Sequence, residues 1–378
     1  MRRSGLRLVA PIAVVVQLAS GVLGSASVSA AGRGSVVPEG FRAQAINFVS
    51  ADHGWILGTR PCGDAKCTIV LRTTDGGDTW DKVGRIHAPL TYDKLAGVTE
   101  IRFADDLHGW AFGPSLWSTI DGGATWTKEA IPGGGNLLPV LAAGPQAVYA
   151  LVSFCQLNQA PGRCDPATLW KTTPGAGIWS QVSVKLKAGL VTNTARMVVH
   201  GEIAYLVVPT ETDPDVIRVT TDGVHWTGRT DPCSKAADER LVEVTALSDT
   251  GVAFLCVGDP GFGHSTKRVF RSNDTGHTMK TFGAVPREGI VSQMAASPGG
   301  RLVMTSWGAP GSWIYRSNAG QAWTTPLALE DQGTGWNDVV MTTNKVGFVV
   351  HGPAAVFPGN RPGQLGETTD GGLTWNPV

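Results

Sequence analysis

The sequence predicts an all-β repeat fold, and three observations carry that prediction. Helical periodicity is hard to find along the chain. Short apolar runs rich in Val, Ile, Phe and Trp are broken every few residues by Gly, Asp, Asn or Pro, as half-buried strands and tight turns require. A motif built around one turn occurs seven times at spacings of 44 to 53 residues. A period of that size means a solenoid or a propeller, with about four strands in each unit.

The first thirty residues stand apart. Arg2, Arg3 and Arg7 make a positive start, Leu8–Leu23 is apolar but interrupted by Pro11 and Gln17, and Ser27–Gly32 supplies small residues. This reads as a secretory signal peptide, residues 1–30, cleaved near Ala30, because the apolar run is too short and broken to span a bilayer. The expected location is therefore secreted or extracytoplasmic, with no membrane span in the mature chain. Residues 31–378 are expected to form one domain.

Composition narrows the partners. Lys plus Arg and Asp plus Glu are both 31, so no net field draws the protein to nucleic acid or an anionic membrane. The six cysteines, Cys62, Cys67, Cys155, Cys164, Cys233 and Cys256, all follow the signal segment. An even number in an exported chain points to disulfides, and closeness in sequence pairs neighbour with neighbour among the possible connectivities. Zinc would need C-x-x-C spacing with nearby His, which no pair has. No metal or cofactor is expected. The chain carries no G-x-S-x-G, H-E-x-x-H, P-loop or dinucleotide fingerprint.

The recurring motif is Thr-x-Asp-x-Gly-x-Thr-Trp. It is intact at Thr73–Trp80, Thr119–Trp126 and Thr368–Trp375. Ser272–Met279 keeps all but the Trp, and Thr220–Trp226 is one residue short. Thr172–Trp179 has Pro174 for the Asp, and Arg316–Trp323 has Asn318 there. These residue types belong together in a tight turn. Asp accepts hydrogen bonds from the backbone just ahead of it, Gly permits positive φ, and the Trp opens the return strand and buries its ring between units. Asp75, Gly77, Trp80, Asp121, Gly123, Trp126, Asp222, Trp226, Asp274, Gly276, Asp370, Gly372 and Trp375 are thus read as structural. The same chemistry at every repeat does not suit a catalytic site, which occurs once.

A second element precedes the motif. Ile46–Gly58 matches Ile101–Gly113, and Val339–Gly352 is a looser copy, each a strand, a turn ending in Gly, and a second strand opening on Trp55, Trp110 or Phe348. These aromatics are read as core.

With both elements in view the sequence resembles the Asp-box or BNR-repeat β-propellers, and most closely the single-domain, seven-bladed proteins related to the photosystem II assembly/stability factor. Sortilin-type domains, xyloglucanases and sialidases carry the same box. The resemblance covers nearly all of the chain, from about Val36 to Val378. It implies seven four-stranded antiparallel blades, with the box on the turn between third and fourth strands, away from the usual ligand face. Only Asn376–Val378 follow the last box, too few for a typical strand. Gly34–Phe41 is therefore expected to supply the outer strand of blade seven and close the ring.

On the implied ligand face, loops of unequal length invite binding. Tyr92, Arg163, His264 and Trp336 are its binding candidates. Cys62–Cys67 and Cys155–Cys164 would staple two of these loops, and Cys233–Cys256 would tie an interblade loop to the following blade. A sialidase would need an arginine triad, a Tyr–Glu pair and an acid Asp, and the Arg-Ile-Pro-like start of that family is absent at Phe41–Gln44. Tyr149, Tyr205 and Tyr315 fall within expected strands. Asp105, Asp106 and Asp338, the acids nearest the inner strands, are read as turn and strand-end groups. The expected function is a non-enzymatic, monomeric scaffold that binds a protein or glycan partner. The competing expectation is a glycoside hydrolase acting at the central channel.

Overall fold

The structure is a computed structural model, and it describes residues 36–91, 97–155, 164–186, 194–210, 214–234, 237–319, 321–331, 334–352 and 363–378. The expected signal peptide lies outside them. The described chain is a seven-bladed β-propeller, each blade a four-stranded antiparallel sheet in simple meander order. Blade one comprises β1 (Arg42–Phe48), β2 (Gly54–Cys62), β3 (Ala65–Thr73) and β4 (Asp81–Ile86). Blade two is β5 (Glu100–Phe103), β6 (Gly109–Phe112), β7 (Leu116–Thr119) and β8 (Thr127–Glu129). Blade three is β9 (Leu137–Ala143), β10 (Val148–Cys155), β11 (Cys164–Thr172) and β12 (Ser180–Val182). Blade four is β13 (Arg196–His200), β14 (Ile203–Val208), β15 (Val216–Thr220) and β16 (Thr227–Arg229). Blade five is β17 (Arg240–Ala246), β18 (Val252–Gly261), β19 (His264–Ser272) and β20 (Lys280–Thr281). Blade six is β21 (Val291–Ala296), β22 (Leu302–Gly308), β23 (Gly311–Ser317) and β24 (Trp323–Leu329). Blade seven is β25 (Trp336–Met341), β26 (Gly347–His351), β27 (Gln364–Thr368) and β28 (Asn376–Pro377).

The innermost strands β1, β5, β9, β13, β17, β21 and β25 touch in cyclic order and line a central channel. Second strands such as Ile203–Val208 are buried throughout, because neighbouring blades cover both their faces. That is why they read as unbroken apolar runs. Seven hydrophobic clusters fill the seven interblade seams. At each seam the aromatic or Met that ends the recurring turn packs back on the blade before it. Trp80 meets Phe348 edge-on at 6.0 Å, Trp179 meets Trp110 at 6.4 Å, and Trp226 meets Tyr149 at 5.4 Å between ring centroids. Trp55, fully buried, stacks on Phe103 of the next blade and donates Nε1–H to Gly122 O at 2.9 Å.

The recurring turn is closed by its own side chains. In blade one, Asp75 Oδ1 accepts from Thr73 Oγ1 at 2.7 Å and from Thr79 N at 3.0 Å, while Oδ2 accepts from Thr79 Oγ1 at 2.6 Å. Thr73 Oγ1 in turn accepts from Gly77 N at 2.9 Å. Asp121, Asp274 and Asp370 repeat the pattern with Thr125, Thr278 and Thr374. In the shortened copy, His225 takes the Thr role, with its N and Nδ1 2.8 and 2.6 Å from Asp222. Burial opposes ionisation of Asp75, but the bonds from Thr79 and Thr73 outweigh it and hold the carboxyl below its ordinary value. Gly76, Gly122, Thr275 and Gly371 donate N–H from these turns to carbonyls of the first-to-second-strand turns, so both sets of turns share one face.

Loops and ring closure show one agreement and one difference. Disulfides join Cys62 to Cys67 across the β2–β3 hairpin and Cys233 to Cys256 of β18. Cys155 and Cys164 oppose each other in the β10–β11 register, and their side chains lie outside the described residues. The expected closure by Gly34–Phe41 is overturned. Val36 forms a parallel bridge to Thr79 of blade one, donating to Asp78 O and accepting from Trp80 N. Asn376–Pro377 is itself the fourth strand of blade seven, extended by a bond from Val378 N to Leu365 O at 2.8 Å. The expectation failed because it asked five or six residues of an outer strand. The fourth strand of blade five also has two, since most of each seam is filled from the inner three strands. The ring closes instead by packing: Ile46 N donates to Asp338 Oδ2 at 3.0 Å, and Asn337 Nδ2 donates to Gln44 O at 3.1 Å.

Candidate functional site

Tyr92 and Arg163 lie outside the described residues. His264 begins β19 and is exposed at the β18–β19 hairpin, whose tip, Phe262, projects fully into solvent at a φ of 49°. Trp336 begins β25 but is only 5% exposed, its ring 4.7 Å from that of His351. His351 Nε2 lies 2.6 Å from Asp331 Oδ2. Trp336 lines the channel and His264 does not, so the fold separates these two candidates.

The channel holds what sequence reading missed. At its loop-face end is a cavity of about 590 Å³, lined from all seven inner strands. Five charged side chains converge there: Glu100 and Arg102 from β5, Arg196 from β13, Glu243 from β17 and Asp338 from β25. Arg102 lies 3.2 Å from Glu100 and 3.9 Å from Asp338, and Arg196 lies 3.5 Å from Glu243. Asp338, expected as a strand-end group, instead bridges the closure seam. Its Oδ1 accepts from Val339 N and its Oδ2 from Ile46 N. Asp105 and Asp106 do sit in the β5–β6 turn, where Asp105 Oδ1 accepts from Leu107 N and His108 N.

The inner strands bulge where these groups turn inward. Register shifts fall between Trp336 and Asp338 in β25 and between Leu241 and Glu243 in β17. A bulge re-aims side chains in this way. Burial among the strands raises the Glu100 carboxyl to about 7, Arg102 opposing and Asp338 reinforcing the shift. Burial also raises Asp338, against Arg102 and the two N–H donors, and Glu243, against Arg196. The chemistry available is therefore acid and ion-pair chemistry in a partly dehydrated tunnel. Charged residues inside the otherwise apolar first strands of blades two, four, five and seven were the signal present in the sequence.

Trp307 and Trp336 stand at the loop-face end of the cavity, with Trp307 packed against Gly335. The Phe262 hairpin adjoins them, since Gly263 packs on Pro310 and its carbonyl accepts from Gly289 N. At the opposite end a second cavity of about 980 Å³ is lined by the turns bearing His53, Asp105, Asp106, His108 and His200. Arg102 reaches both cavities. His53 Nδ1 lies 2.5 Å from Asp106 Oδ1, tying the first turn of blade one to that of blade two. Among the described residues, Asp215, Asp231 and Cys233 form the one group of three with metal-ligand atoms close together. The Cys233 sulfur is bonded to Cys256, and the Asp215 oxygens accept from Thr210 N and Leu241 N, so the group is a hydrogen-bonded corner.

No protein-family model and no curated protein matches the chain. Solved structures do. The BP39L lectin of Burkholderia pseudomallei superposes with a TM-score of 0.55 at 12% identity, over 89% of this chain and 98% of the lectin. An acylaminoacyl peptidase of Pyrococcus horikoshii superposes with a TM-score of 0.54 at 8% identity, over 89% of this chain and 52% of the peptidase. YCF48 bound to D1 peptide gives 20% identity and a TM-score of 0.49, over 73% of this chain and 79% of that one. The likeness to the lectin and the peptidase, at such identities, speaks to fold alone.

Proposed function

We propose that the protein is an exported scaffold of the Asp-box propeller type, which binds a protein or glycan partner across the loop face and the channel mouth behind it. The observation that carries this reading is the continuity of that face. Exposed Phe262, then Trp307 and Trp336, lead into a cavity whose charged floor is built by four blades. An exposed aromatic beside a cavity with a few convergent polar groups is an ordinary making of a binding site. The disulfides Cys62–Cys67 and Cys233–Cys256 and the basic, then apolar, start of the sequence support export. The box reading rests on the intact motifs and their repeated Asp-centred hydrogen bonds. Tyr92, Arg163 and His264 remain candidates for the rim.

A glycoside hydrolase is the second reading, and one observation favours it: Glu100, raised to about 7, has the proton-holding character of a general acid. A paired test separates the two. The purified protein is screened against peptide and glycan arrays, and hits are re-measured with Phe262→Ser and Trp307→Ala. The scaffold reading expects hits that weaken at least tenfold in either variant. Turnover of aryl-glycosides, a sialoside included, that disappears in Glu100→Gln would overturn it. N-terminal sequencing of the exported protein should begin near Ala31.

A further inference from the structure

The channel cluster carries an unbalanced charge. Three carboxylates, Glu100, Glu243 and Asp338, face two guanidinium groups, Arg102 and Arg196, so one negative charge is left over when all are ionised. Two of the three ion pairs are also loose. At 3.5 and 3.9 Å, the Arg196–Glu243 and Arg102–Asp338 contacts leave the carboxylates room to meet another donor. Two buried polar atoms among the cavity-lining residues have no hydrogen-bond partner: Gln293 Oε1, an acceptor, and Nε1 of Trp336, a side chain 5% exposed. The rest of the wall sets Val140, Leu141, Val244, Ala295 and Val339 beside the polar Gln44, Thr245 and Asn337.

We propose that the loop-face end of the channel receives the ammonium or guanidinium head of a lysine or arginine side chain of a protein partner, its aliphatic stem lying along the apolar wall. This deepens the scaffold reading and rests on it. The acids and Gln293 Oε1 supply acceptors for such a head. Aliphatic walls suit the methylene stem of a long cationic side chain. A sugar has no such apolar stem to lay against them, which favours a protein over a glycan here.

Without a partner, a proton balances the surplus charge, which accords with the raised Glu100 carboxyl. The other groups facing it are Arg102 from its own strand, Arg196 from β13, Glu243 from β17 and Asp338 from β25. The lining residues of β1, β9 and β21 add no charged group, among the described residues. An arriving cation therefore displaces a proton, and binding weakens as pH falls below about 7.

The test is calorimetric titration of the full mature chain with acetylated, amidated peptides. The peptides carry Lys, Arg, norleucine or Glu at one position, and chitosan oligomers stand beside them, at pH 8 and pH 6 in two buffers of different ionisation enthalpy. The expected result is binding of the Lys and Arg peptides alone, about tenfold weaker at pH 6, with proton release. Glu100→Gln should flatten the pH dependence, and Glu243→Gln should weaken binding at both pH values, each checked by its unfolding curve. Binding only of the norleucine or Glu peptide, or only of chitosan, overturns this proposal and leaves the scaffold reading standing. No binding of any probe to millimolar concentration, together with glycoside turnover, overturns both.

Discussion

Gly77→Ala offers the sharpest check on how the ring closes. Gly77 sits in the recurring turn of blade one at a φ of +99°, and an added Cβ would lie 2.3 Å from Cζ of Phe348 and 3.1 Å from its Cε atoms. Phe348 is fully buried, stacked on Phe48 at 5.4 Å and edge-on to Trp80, so it has nowhere to retreat. The backbone conformation alone costs an alanine about 1–2 kcal/mol. Forcing a methyl into this seam adds about 1–3 kcal/mol. The lost flexibility of the unfolded chain returns about 0.4–1 kcal/mol. The net is a destabilisation centred on about 3 kcal/mol, within about 1–5 kcal/mol. Gly76→Ala is the control: φ is +76°, but the nearest atom to its Cβ is Ala51 O at 3.2 Å, so it bears chiefly the conformational cost, about 1 kcal/mol net. Urea unfolding followed by tryptophan fluorescence should place the two midpoints in that order. A Phe348→Leu background should recover at least about 1 kcal/mol of the Gly77→Ala loss and none of the Gly76→Ala loss. Equal losses in the two single variants would refute the claim that this turn is wedged against blade seven.

Other outcomes follow from the same contacts. Asp75→Ala removes the acceptor of three hydrogen bonds and should cost about 1–3 kcal/mol in the same urea assay, with Asp75→Asn losing less. Because the Asp75 carboxyl is held below its ordinary value, its contribution is present above about pH 4 and is lost as pH falls through the lowered value. Glu100 has the opposite sign: its folded value of about 7 exceeds the unfolded 4.5, so stability declines as pH rises through that window, by at most about 3 kcal/mol. Glu100→Gln should level that slope in unfolding curves taken from pH 4.5 to 8. Removing the Cys233–Cys256 bridge, which spans 23 residues, should cost about 3 kcal/mol, against about 2 kcal/mol for Cys62–Cys67, which spans 5. Double Cys→Ser variants compared by thermal unfolding check the order.

Much of this architecture was legible in the residues because its chemistry is local. Asp75 closes its turn on Thr73 and Thr79, within four positions, and copies of that turn recur in other blades. A period near 49 residues and a meander of short strands left little freedom in the blade plan. The neighbour pairs Cys62–Cys67 and Cys233–Cys256 were legible for the same reason. Ring closure was not, because it depends on how little an outer strand must contribute once the seams are packed, as Val36 on Thr79 and the two-residue β28 show. Nor was the channel site. Glu100, Arg102, Arg196, Glu243 and Asp338 come from four strands up to 238 residues apart. Each is an ordinary polar residue in its own segment. Only the closing of seven blades on one axis, with bulges turning Glu243 and Asp338 inward, brings their charges within a few ångströms and partly out of bulk water. Coulomb energy and desolvation depend on distance through space, which chain order does not encode when the intervening units are whole blades.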